Sequence, residues 1–151
     1  MTKFFRKETV IGLDGPYLFR LRIGKLAFHK FYRGDEDPDA HDHPADFYTF
    51  PLTTYVENVY DPMTKRWQKN IVTAFKFHFR PATYCHRVMG RWSGDRTSDG
   101  ETRIATIEPG KAFWTIVWWK KRSRTWGFYL SDGVWVPWQE YINGSRKSWA
   151  A

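Results

Sequence analysis

From Tyr17 to Ile23 the chain alternates, with Tyr17, Phe19, Leu21 and Ile23 on one side and Leu18, Arg20 and Arg22 on the other. A period of two marks a strand. Gly24-Lys25 interrupts and Leu26 to Tyr32 resumes, so the pair predicts a β-hairpin with glycine supplying the positive φ of a two-residue turn. A second alternation sets Phe75, Phe77 and Phe79 against Lys76, His78 and Arg80, which a strand divides between a buried and a more polar face. Ala112 to Trp119 and Thr125 to Leu130 read as two more strands around a basic turn, Lys120 to Arg124. Only Trp138 to Asn143 reads as a short helix.

Turn chemistry separates these runs, at Gly34 to Asp39, Tyr60-Asp61-Pro62, Ser93-Gly94-Asp95 with Ser98-Asp99-Gly100, Glu108-Pro109-Gly110 and Ser131-Asp132-Gly133. About eight to ten short strands without long helical patterns between them predict an all-β sandwich or barrel. The 151 residues read as one domain, with its core over about 15–142 and a flexible tail over 144–151.

Composition strengthens the β reading, because aromatic residues make up 19% of the chain and include nine Trp, and flat rings pack well on a pleated surface. A net charge of +8 suits nucleic acid or an anionic substrate without choosing between them. The longest apolar run, Phe113 to Trp119, is far short of the ~20 residues of a membrane helix. The N-terminus lacks the apolar core of a secretory signal. Both point to a cytoplasmic protein without a membrane partner. One cysteine, Cys85, excludes an intrachain disulfide and a cysteine-based zinc site.

The densest chemistry lies in Asp39-Ala40-His41-Asp42-His43-Pro44-Ala45-Asp46-Phe47. On a strand His41 and His43 face the same way, close enough to share one metal ion. His86 comes 43 residues after His43, and antiparallel pairing across a barrel can bring it to the first two. The plain alternative is a pair of polar-loop histidines.

A wider pattern bears on that choice. His41-Asp42-His43 with Asp46, and Pro81-Ala82-Thr83-Tyr84-Cys85-His86 with the Pro-to-His spacing of P-x-G-x-x-H, resemble the two motifs of the cupin superfamily. Over about residues 15–142 the chain also resembles small, largely uncharacterised bacterial and phage cupin-like proteins, through His41 to Phe47, His86-Arg87-Val88, Trp126-Gly127-Phe128 and Val134 to Trp138. The resemblance implies a cupin-type antiparallel jelly-roll barrel. It also implies one divalent metal on His41, His43 and His86, with Asp46 as either a fourth ligand or a histidine anchor. Fe(II) is the favoured ion, and Mn, Ni, Cu and Zn are compatible with such ligands.

Tyr84 and Cys85 beside His86 resemble the cysteine dioxygenase branch, although along a strand Cys85 points away and reads as a small buried hydrophobe. Arg80, just before the second motif, has the planar fork to hold a substrate carboxylate or phosphate. Arg87 reads as a structural ion-pair partner, and His78 and His29 as surface or core groups. Lys120 to Arg124 reads as a solvated hairpin turn, with nucleic-acid contact the second reading. Three functions follow: an Fe(II) dioxygenase or oxygenase on a small polar or anionic substrate, a metal-dependent sugar or sugar-phosphate isomerase or epimerase, and a non-catalytic binder of carbohydrate or nucleic acid. A homodimer is compatible with each.

Overall fold

A computed structural model describes residues 4–12 and 15–149. Twelve strands among these residues form two six-stranded antiparallel sheets. The first sheet runs, in spatial order, β1 (Phe5–Gly12), β2 (Gly15–Ile23), β3 (Leu26–Phe31), β10 (Phe113–Trp119), β5 (Phe47–Pro51) and β8 (His78–Arg80). The second runs β12 (Trp135–Pro137), β11 (Gly127–Tyr129), β4 (Ala40–His41), β9 (His86–Arg91), β6 (Tyr55–Asp61) and β7 (Arg66–Val72). Chain neighbours that lie in different sheets, such as β4 and β5, are the connections of a jelly roll.

The predicted hairpin is β2–β3, paired Ile23 to Leu26, with Gly24 at φ +58°. Between the sheets, Tyr55, Val72, Val88 and Phe113 pack with Phe31 at one end of the core. Ala27, Phe47 and Val117 pack with Trp119 towards the other. Helix α1 (Trp138–Trp149) closes the chain, its Tyr141 fully buried and stacked on Phe128 at 3.8 Å between ring centroids. The helix continues past Asn143 through most of the segment read as a tail, and residues 150–151 lie outside the described residues.

Several expectations need correction. Phe5 to Gly12 forms a full edge strand on β2, which its charged sequence hides. Of the Phe75–Arg80 alternation only His78–Arg80 is strand, because Phe75 adopts φ +59° and starts a turn. Its faces are also the reverse of a buried-ring arrangement: Phe75, Phe77 and Phe79 are exposed, while Arg80 turns inward to Glu57. The basic segment Lys120 to Arg124 is not a hairpin turn. It crosses from β10 in one sheet to β11 in the other.

Candidate metal centre

Backbone pairing builds the site. His41 on β4 stands directly opposite His86 on β9, and the His43 amide donates to the Ala82 carbonyl at 2.9 Å, continuing the contact past the end of β4. The three rings gather with centroids 4.9 to 5.2 Å apart, and one nitrogen from each lies within 4.8 Å of the other two. In each ring Nδ1 already faces an oxygen. His86 Nδ1 is 2.6 Å from Glu57 Oε2, His43 Nδ1 is 3.0 Å from the Tyr84 carbonyl, and His41 Nδ1 is 3.7 Å from Asp35 Oδ2. In His86 and His43, where that contact is a hydrogen bond, the tautomer that keeps a lone pair on Nε2 is favoured, and Nε2 is the ligand atom left.

Burial, reinforced by the neighbouring His86, pushes His41 down to about 3. Burial followed by His86 and His41 drives His43 well below its ordinary value. Both are therefore neutral near pH 7, the state in which imidazole binds a cation.

Glu57 is the residue that motif reading missed. Fully buried on β6, it accepts hydrogen bonds from His86, from Arg80 Nη2 at 2.9 Å, from the Tyr84 hydroxyl and from Asn70 Nδ2 at 2.9 Å. Burial alone raises a carboxylate, yet His86, Arg80 and Tyr84 outweigh it and hold Glu57 at about 2. The sequence signal was a lone Glu inside the apolar-flanked run Tyr55-Val56-Glu57.

Arg80 was expected to hold a substrate anion, and the structure assigns it elsewhere. Its guanidinium is paired with Glu57 and lies 4.3 Å from the Tyr84 ring centroid, outside the residues that line the cavity. Tyr84 likewise spends its hydroxyl on Glu57, behind His86. Asp46 is not gathered with the histidines either: its Oδ1 accepts the Ala82 amide at 2.8 Å, which ties the β4–β5 connection to the segment before β9.

Cys85 is buried among Ala40 and Tyr60 with its thiol pushed up to about 12, as a small hydrophobe. Arg87 donates to the Asp35 carbonyl rather than to a carboxylate. His78 bonds the Thr73 carbonyl, whereas His29 is buried against the cavity and accepts from Arg20 Nε at 3.2 Å.

The histidines open on a cavity of about 420 Å³. Phe47, Trp119 and Trp126 wall it, and Arg20, Arg22 and Arg122 give it a positive side. Arg20 is committed to Glu8 at 2.8 Å. Among the described residues Arg22 and Arg122 have no hydrogen-bond or ion-pair contact, although Glu8 lies near enough to attract Arg22, and Lys120 turns outward over the rings of Tyr48 and Phe79. Asp42, between the two histidines of β4 and its extension, points the other way. It accepts from Gly127 N at 2.7 Å and Trp135 Nε1 at 3.0 Å, and pairs with Arg124 at 2.8 Å.

Two antiparallel sheets enclosing a three-histidine cluster define a cupin-type jelly roll. Among solved structures the chain is similar to the iron(II) form of HppE, at 12% identity and TM-score 0.50, over 79% of this chain and 58% of that one. It thus spans little more than half the length of that protein. A cupin domain from Bordetella pertussis matches over 80% of this chain and 100% of its own, at 16% identity and TM-score 0.41. A Drosophila melanogaster CENP-C structure matches over 80% and 85%, at 6% identity and TM-score 0.49. At such identities the likeness concerns the fold alone. No protein-family model and no curated protein matches the chain. No helix among the described residues is long and apolar enough to cross a membrane.

Proposed function

We propose that His41, His43 and His86 bind one divalent metal ion, and that the protein is a single-domain metal enzyme of the cupin kind acting on a small anionic substrate, with Fe(II) and oxygen chemistry as the leading reading. One observation carries it: three imidazoles lining the cavity converge, one nitrogen of each within 4.8 Å of the other two, with every Nδ1 turned to an oxygen. Three nitrogen ligands leave further coordination positions open, as catalysis requires. HppE, which shares the fold, is a structure with Fe(II), and this supports iron over the other ions.

A bound divalent ion supplies Lewis acidity and, as iron, one-electron chemistry with dioxygen. The chain's own residues do the rest. Glu57 fixes the orientation and tautomer of His86, and Arg80, Tyr84 and Asn70 hold Glu57 in place as positioning residues. Arg22 and Arg122 take the role of anion holders at the positive side of the cavity, where a carboxylate or phosphate supplies the acceptors they lack.

The test is metal analysis of protein purified without a histidine tag, followed by oxygen-consumption screening against small carboxylates and phosphates. One ion per chain in the native protein, lost in His41→Ala, His43→Ala and His86→Ala variants that still fold, is the expected result. Unchanged stoichiometry in all three overturns the site. Turnover without oxygen uptake moves the reading to the isomerase class. Arg22→Ala with Arg122→Ala should leave metal content intact while weakening oxyanion binding.

A further inference from the structure

We propose that the outer face of the first sheet is a self-association surface that packs against the same face of a second copy of this chain. The inference is independent of the metal site. Strand register sets the face out in rows. Leu26, Trp118, Tyr48 and Phe79 stand side by side across β3, β10, β5 and β8, and Phe28, Ile116 and Phe50 form the next row, with Phe77 at 4.8 Å from Phe50 between ring centroids. Phe19, Leu21 and Ile23 extend the face onto β2.

The sheet thus carries apolar side chains on both faces, its inner one holding Ala27, Phe47, Phe113 and Val117 of the core, whereas an ordinary solvated sheet is polar outside. On β2 the charged residues Arg20 and Arg22 face the cavity together with Leu18, and Phe19, Leu21 and Ile23 face outward. The second sheet carries polar side chains at the corresponding positions, for Lys69, Asn58 and Arg87 lie in register there.

Size and charge choose the occupant. The most exposed rings of the face are Trp114 at 39%, Trp118 at 57%, Tyr48 at 38%, Phe75 at 71%, Phe77 at 76% and Phe79 at 46%. At about 200 Å² per ring they leave roughly 700 Å² in water, close to the ~800 Å² that each partner of a standard interface buries. No carboxylate stands on the outward positions of β2, β3, β10, β5 or β8, and the lysines lie over rings, Lys30 over Tyr32 and Trp114 and Lys120 over Tyr48 and Phe79. The rings are tilted against one another, Tyr48 to Phe79 by 55° and Phe50 to Phe77 by 47°. That arrangement offers an apolar sheet for face-to-face packing rather than open stacking platforms for bases. A two-fold axis lets the same patch serve both partners.

Sedimentation equilibrium of the full chain at micromolar concentration tests this. The expected mass is twice that of the chain, and association should hold or tighten in molar salt, because the only charges on the face are lysines that repel across the interface. Trp118→Asp and Tyr48→Asp, both at exposed positions, should each weaken the dimer by about 30-fold or more, as loss of a central anchor does. Metal content and near-ultraviolet circular dichroism show that the variants are folded, and Lys69→Gln, at an exposed position of the opposite sheet, should leave the dimer intact. A wild-type chain of single mass overturns the proposal, whether or not it binds vesicles or single-stranded oligonucleotides. So does a dimer that both Asp variants leave undiminished.

Discussion

Replacing Glu57 by Gln is the sharpest probe of the centre, because it changes charge and barely changes shape. The wild-type carboxylate is fully buried and receives four donors, from His86, Arg80, Tyr84 and Asn70. A glutamine amide offers one acceptor oxygen, and its NH₂ must then face at least one N–H or O–H donor. Arg80, whose side chain is only 12% exposed, keeps its charge and loses its counter-ion. Removing one partner of such a buried pair costs about 3–5 kcal/mol. In a chain of this size that lowers the melting temperature by roughly 10 °C. His86 also loses the anion that fixes its ring, which should weaken metal binding about 10- to 100-fold. Urea unfolding of the metal-free protein reads the first number, and competition with a chelating dye reads the second. The double variant Glu57→Gln with Arg80→Gln should cost less than the two singles together, since the orphaned cation is gone. If Glu57→Gln costs under about 1 kcal/mol and leaves metal affinity unchanged, the assignment of Glu57 as the anchor of the site is wrong.

Asp42→Asn leaves the Arg124 cation unpaired and should destabilise by about 2–4 kcal/mol, seen as a lower urea midpoint at unchanged slope. His29, held by burial at about 3 against an ordinary 6.5, stays neutral in the fold while the unfolded chain takes up a proton. His29 should therefore make stability fall as pH drops below 6.5, by up to about 1.4 kcal/mol per pH unit, alongside His41 and His43, and His29→Phe should remove that share of the slope between pH 6.5 and 4. In Gly34→Ala the new Cβ would sit 2.1 Å from the Met89 carbonyl oxygen. The loop must move, costing about 1–3 kcal/mol or more by thermal unfolding. Cys85, buried and with its thiol pushed up to about 12, should resist thiol reagents at pH 8 until the protein is unfolded.

The three histidines were legible because a period of two and a Pro-to-His spacing are local properties, and local pairing then delivers His86 opposite His41. Glu57 was not, since nothing in Val56-Glu57-Asn58 says that its carboxylate turns inward to Arg80, 23 residues away. Alternation located β2 and β3 correctly but does not tell which face is inside. In a barrel that encloses a polar cavity the charged face can be the inner one, as Arg20, Arg22 and His29 show. Asp46 and Arg80 were assigned from their distance to a histidine along the chain, which carries no information on where their tips reach.

Asp42 also has a consequence for how the protein is made. It stands between His41 and His43, and its bonds go to Gly127 and Trp135, 85 and 93 residues further on. During synthesis the first two imidazoles leave the ribosome long before the groups that fasten the segment between them. Closing such long loops comes late in assembly. The segment between the first two imidazoles is fastened only after β11 and β12 have docked, so until then a partly synthesised chain offers an arriving cation a site held by the β4–β9 pairing without its Asp42 anchor.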